Sequence, residues 1–233
     1  MENTFHVLDH GIVKLEDSMG SDESIVRSAR VSYDGKAGLD LEKDKKLIRY
    51  LMKNRHTTPF EAVQFTFFIK APIFVFRQWH RHRTWSFNEV SARYTELPEE
   101  VYYPNESAIG KQSDTNKQAR EYIPMNSQLR QSRRHELDEY EAVVHEAFKL
   151  YHRLIGSGWP RELARGILPV ATYSKMYASV DLHNLFHFLK LRLHPHAQYE
   201  IRVYAEAMLE LITPIVPVAV EAWKEFILNA NQT

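Results

Sequence analysis

The chain reads as an α+β protein, an irregular α/β arrangement in which a mixed sheet is flanked by several long helices. Three observations lead there. Short segments rich in Val, Phe and Thr recur at strand length. Longer stretches between them carry apolar residues at helical spacing. The eight glycines form neither Gly-x-Gly-x-x-Gly nor Gly-x-x-x-x-Gly-Lys-Ser/Thr, which disfavours the regular phosphate-cradling α/β folds. A length of 233 residues, 44% apolar and 26% charged, suits one soluble domain over residues 1–233.

The elements follow in order. Phe5 to Val13 and Val13 to Leu15 read as short strands with Gly11 at a turn. Ser21-Asp22-Glu23 supplies an N-cap and two first-turn acids to a helix carrying Ile25, Val26 and Ala29. Leu41 to Lys53 is amphipathic, with Leu47, Ile48, Leu51 and Met52 on one face. Phe60 to Ile69 reads as a strand after Pro59, and Pro72 suits the first turn of a helix over Ile73 to His82. Asn116 to Leu154 reads mostly as one long helix, kinked or delayed by Pro124 and stopped by Gly156 and Gly158. Pro160 opens a helix through Leu168, and Val170 to Val180 alternates like a strand. Asp181 to Leu193 is helical again, then a helix runs from beyond Pro195 to about Ile212. Pro214 and Pro217 set off a terminal helix.

Composition excludes several chemistries. With no cysteine there is no disulfide, no cysteine-bound zinc, no iron–sulfur cluster and no thiolate nucleophile. The most hydrophobic segment, Val63 to Phe76, is interrupted by Gln64, Thr66, Lys70 and Pro72, too soon for a membrane span. Met1-Glu2-Asn3-Thr4 does not resemble a secretory leader, so a cytoplasmic location is expected.

The densest chemistry lies in the fourteen residues Arg81-His82-Arg83-Thr84-Trp85-Ser86-Phe87-Asn88-Glu89-Val90-Ser91-Ala92-Arg93-Tyr94. Three guanidiniums, whose flat forks fit phosphate, sit there with an imidazole, an amide and a carboxylate. Arg77, Gln78 and His80 precede them. Thirty basic residues balance thirty acidic ones, so the cluster is a local feature. Concentrated cation in a neutral chain points to phosphorylated small molecules rather than a long polyanion.

Arg81-His82-Arg83, seven residues and then Ser91 resembles the signature of the flavin-dependent thymidylate synthases. Gln78, Ser86-x-Asn88-Glu89 and Ser91-x-Arg93-Tyr94 extend the match. Arg30-Val31-Ser32, His56-x-Thr58-Pro59-Phe60-Glu61, Pro160-Arg161-Glu162-x-Ala164-Arg165 and Leu191-Arg192 followed by His196-Ala197-Gln198 fit in the expected order. The resemblance covers nearly the whole chain and is loosest between Pro98 and Tyr151. It implies conversion of dUMP to dTMP, with the carbon from 5,10-methylenetetrahydrofolate and the reducing equivalents from NADPH through FAD. A homotetramer with sites shared between subunits is also implied, with neither nucleic acid nor membrane as partner.

Carried onto this sequence, the resemblance implies that Arg192 lies against the uracil and stabilises charge when N3 loses its proton. Gln78, Trp79, His80, Arg81, Glu89, Val90, Ser91, Ala92, Arg93, Arg165 and Arg192 would hold dUMP. Ser32, Thr58, Arg81, His82, Arg83, Glu89, Asp181, Leu182, His183 and His187 would contact FAD. Asparagine is usual where this chain has Asp181 and His187, so those two flavin contacts must differ in detail. The chemistry is consistent: without a thiolate, the ring has to be activated electrostatically while a flavin carries the reduction.

Plainer readings compete. The arginines could be solvated surface charges, and Glu162, three residues before Arg165, could simply pair with it. His80, His82, His183 and His187 could ligate a metal for a phosphohydrolase, although the interleaved arginines would repel it. Arg77 to Arg93 with Trp79, Trp85 or Phe87 could instead grip single-stranded nucleic acid, which overall neutrality disfavours. Ser91 as a nucleophile is more demanding than Ser91 as a hydrogen-bond donor.

Overall fold

The computed structural model describes residues 3–33 and 41–229; Met1 and Glu2, on which the leader reading partly rests, lie outside them. Strand β1 (Thr4–Val7) turns back into β2 (Gly11–Met19), with Val7 opposite Gly11. Gly11 therefore opens a strand that is longer than expected. A Cβ on it would lie 2.6 Å from the Val7 carbonyl and would strike the Tyr204 hydroxyl, so the approach needs glycine.

Helix α1 (Asp22–Arg30) starts in a capping box in which the Ser21 N–H donates to Ser24 Oγ. Helix α2 (Leu41–Lys53) buries Ile48, Leu51 and Met52. A 3-10 turn at Thr58–Ala62 follows, with Pro59 in its first turn, so the strand expected from Phe60 starts later, as β3 (Gln64–Pro72). Helix α3 (Ile73–Trp79) ends three residues before its expected limit. Next come β4 (Ser86–Glu89), the one-turn helix α4 (Glu106–Ile109) and a two-residue hairpin, β5 (Lys111–Gln112) and β6 (Arg120–Glu121).

That hairpin occupies part of the stretch expected to be helical from Asn116. Helix α5 is Ser127–Gly156, capped by the Asn126 side chain, which accepts from the Leu129 N–H at 2.7 Å. Pro124 thus delays the helix rather than kinking it. The segment expected to be helical through Leu168 is a single turn, α6 (Arg161–Ala164), followed by a 3-10 turn. Strand β7 (Tyr173–Asp181) runs directly into α7 (Leu182–Arg192), and α8 (Tyr199–Ile212) and α9 (Pro217–Trp223) follow, the last continuing into a π-helical turn at Lys224–Leu228.

The main sheet has the order β1-β2-β3-β7-β4, and every pairing in it is antiparallel, not mixed. The burial along β3 and β7 gives the reason. Phe65, Phe67, Ile69, Met176, Ala178 and Val180 are buried on one face. Thr66, Phe68, Tyr177 and Ser179 lie on the other, less covered face. One wet face is tolerated by an antiparallel sheet but rarely by a parallel one. On the buried face α1, α2, α7, α8 and α9 share one core. A smaller cluster around Phe148, Tyr151, Val144 and Ala164 joins α5 to α6.

Candidate active site

The site begins where α3 stops. Trp79 stacks on Phe188 of α7 at a centroid distance of 4.9 Å and meets Trp85 and Tyr204 edge-on. His82 turns inward too, its ring 4.9 Å from that of Phe188. Trp79, His82 and Trp85 are all buried, so the turn after α3 is anchored to the core by two indoles and an imidazole. Arg77, Arg81 and Arg83 are left exposed, as are His80 and Thr84.

Arg192, at the end of α7, reaches back to this turn. Its Nε donates to His82 Nε2 at 3.0 Å and its Nη2 to the Gln78 carbonyl at 3.1 Å. The guanidinium is part-buried, and among the described residues it has no carboxylate partner. Desolvation, and secondly the nearby Arg81, hold its pKa below the ordinary arginine value. His82 is lowered to about 4, chiefly by burial and then by Arg192 and His187, so it is neutral at pH 7. The Gln78 amide donates to the Gln198 side chain at the start of α8.

A second group gathers at the β7–α7 junction. Asp181 is the N-cap of α7, accepting from the Asn184 N–H at 2.9 Å and the Asn184 amide at 2.6 Å. Leu182 and Trp79 are fully buried, so within the protomer neither presents surface to a ligand, contrary to the direct contacts expected of them. His183 and His187 line a cleft of about 170 Å³ with Arg55, His56, Thr57 and Lys190 above Phe60, Phe186 and Trp223. The exposed Thr58 adjoins that lining. An apolar floor with a cationic rim suits a flat heteroaromatic ring carrying phosphate, which is the chemistry of a flavin dinucleotide. The His82 and His187 rings, 6.1 Å apart, bring the two groups together.

A third group lies along β4 and the turn after it. Strand β4 pairs with β7, and the Val90 N–H donates to Lys175 O at 2.9 Å. His80 and Glu89 approach to 3.9 Å. The Ser91 hydroxyl accepts from the Arg93 N–H at 3.3 Å, and Ala92 is buried. Arg93 pairs with Glu162 at 3.4 Å, the alternative pair between Glu162 and Arg165 does not form, and Arg165 is exposed in the turn after α6. Ser32 is exposed in a 3-10 turn after α1 and makes no hydrogen bond to these residues among those described. The described residues also contain no group of three or more His, Asp or Glu placed to hold a metal. No described helix is long and apolar enough to cross a membrane.

Sequence reasoning assigned no role to Gln198, Lys190 or Arg55, and gave Glu162 a different partner. Gln198 lay within a matched motif, and that was the one signal available for it. Arg55 adopts φ 57°, which only the folded backbone reveals.

Fold and site together define a cysteine-free nucleotide enzyme, and comparison assigns the family. Residues 14–218 match the family described as thymidylate synthase complementing protein, and the chain belongs to that family. A flavin-dependent thymidylate synthase from Thermus thermophilus is 49% identical over 226 residues, covering 97% of this chain and 80% of the relative. One from Wolbachia pipientis is 46% identical over 229 residues, covering 96% and 77%. A solved UMP/dUMP methylase, PolB from Streptomyces cacaoi bound with 5-Br dUMP, superposes with a TM-score of 0.84 at 39% identity, covering 95% of this chain and 98% of that one. The resemblance carried by the motifs is therefore confirmed across the chain.

Proposed function

We propose that this protein methylates dUMP reductively to dTMP, and that its one domain works as part of a homotetramer. The carbon comes from 5,10-methylenetetrahydrofolate. FAD, reduced by NADPH, supplies the reducing equivalents when bound.

One observation carries this reading: Arg192 is a part-buried cation anchored by two neutral acceptors and by no carboxylate among the described residues. A carboxylate partner would cancel the field that an anionic ring needs. Two of the five guanidinium N–H bonds are committed to His82 and Gln78, leaving three for a ligand. Donors aimed at developing charge in a partly desolvated site stabilise it far more than they could in water. Arg192 itself moves no proton; it favours the uracil deprotonated at N3.

Around it, Gln78, Arg81, His80, Glu89 and the Val90 to Arg93 turn position the nucleotide, with Arg93 and Arg165 suited to its phosphate. Thr58, His82, Arg83, Asp181, His183 and His187 hold the flavin, with Ser32 reaching it across a subunit boundary. Sites completed by another copy are supported by Arg93 and Arg165, which are exposed on the protomer surface. The exposed apolar side chains Trp159, Leu163, Val170 and Tyr177 support them too.

The test is to denature the purified chain and look for released flavin, then to assay dTMP from dUMP with the folate and NADPH. A yellow protein whose dTMP formation depends on both cosubstrates is expected. A chain that stays colourless after reconstitution with FAD defeats the reading.

A further inference from the structure

We propose that His82 is a positioning residue: its Nε2 fixes the orientation of the Arg192 guanidinium, and its effect on the nucleotide passes through Arg192. This deepens the reading of Arg192 given above and rests on it. An arginine Nε can only donate, so the 3.0 Å contact makes His82 Nε2 the unprotonated nitrogen and leaves the ring proton on Nδ1. Protonation of the ring would remove the acceptor and set two cations in contact. Burial, followed by the charges of Arg192 and His187, opposes that by lowering His82 to about 4.

The imidazole is itself held. Its ring meets Phe188 at 4.9 Å, and Phe188 precedes Arg192 by four residues, on the same face of α7. The second anchor, the Gln78 carbonyl, lies four residues before His82, so one turn of backbone sets both acceptors. Two acceptors meeting Nε and Nη2 define the plane of the guanidinium, whereas one would leave it free to swing. Nδ1 faces away from this contact, so a flavin contact at Nδ1 is compatible with it.

The experiment is a double-mutant cycle on dUMP affinity, measured by equilibrium dialysis on FAD-reconstituted protein. It compares wild type, His82→Leu, Arg192→Ala and the double variant, with His82→Gln as the conservative replacement because its amide oxygen can reach the Nε2 position. His82→Leu is expected to weaken dUMP about 10-fold, and His82→Gln by no more than about 3-fold. In the Arg192→Ala background His82→Leu should change affinity by less than about 2-fold, each variant being measured at saturating FAD so that any flavin contact of His82 does not enter the comparison.

An equal loss in both backgrounds, a glutamine variant as weak as leucine, or no loss in leucine would each overturn the proposal. If the leucine variant does not fold, His82→Asn, whose amide ends at the Nδ1 position, replaces it under the same criteria. Wild type that binds neither dUMP nor FAD defeats the underlying reading instead.

Discussion

Glu162 pairs with Arg93 at 3.4 Å across the gap between the β4 turn and α6, leaving Arg165 exposed. With side chains 55% and 53% exposed, the pair contributes at most about 1 kcal/mol to stability. Its consequence is competition, because the same guanidinium is the one suited to a nucleotide phosphate.

Removing that competitor should help binding. For Glu162→Gln the KM for dUMP is expected to fall about 2- to 5-fold with stability nearly unchanged. A rise in KM, measured by steady-state titration, would mean that Glu162 orients Arg93 rather than occupying it.

Phe188 supports the whole turn, touching the rings of Trp79, His82 and Trp85. It is completely buried, so Phe188→Ala should cost about 3–5 kcal/mol in urea unfolding. Weakened dUMP binding should accompany that loss, because the His82–Arg192 contact sits on this ring. A cost below about 1 kcal/mol would contradict the packing described.

His82 also bears on acid stability. Its folded value, about 4, lies below its ordinary 6.5, so between those pH values the unfolded chain takes a proton that the folded chain refuses. Stability therefore falls as pH drops through that window, by at most about 3 kcal/mol for this group. His82→Gln should flatten the decline, read by denaturant titration at several pH values between 6.5 and 4. Parallel curves for the two proteins would refute the assignment.

Asp181 is the cap of α7, where the resemblance leads one to expect asparagine. Asparagine caps as well as aspartate, so Asp181→Asn should shift stability by less than about 0.5 kcal/mol, while Asp181→Ala should cost about 1 kcal/mol. Thermal unfolding distinguishes them. Equal losses in the two variants would show that the carboxylate charge, rather than the cap, matters.

Much of this architecture is legible in the residues because it obeys one period at a time. Helices α2, α7 and α8 carry apolar stripes, and β3 and β7 alternate. What escapes is set by distant contacts. Strand β4 is only Ser-Phe-Asn-Glu, and it is a strand because β7 lies beside it. The turn after α3 is packed on Phe188, more than a hundred residues later, which meets Trp79, His82 and Trp85, and no local pattern announces that contact. The arginine window is visible as residue types; its link to Arg192 joins positions 110 apart and needed the folded chain. The antiparallel sheet could have been inferred from the polar face of β7, where Lys175, Tyr177 and Ser179 alternate with buried residues.

The most direct measurement compares two activities of Arg192→Ala with those of the wild type: reduction of bound flavin by NADPH, and dTMP formation. Flavin reduction should persist while dTMP formation falls at least about 100-fold, since the lost group acts on charge that develops in the uracil. Normal dTMP turnover in that variant would contradict the account.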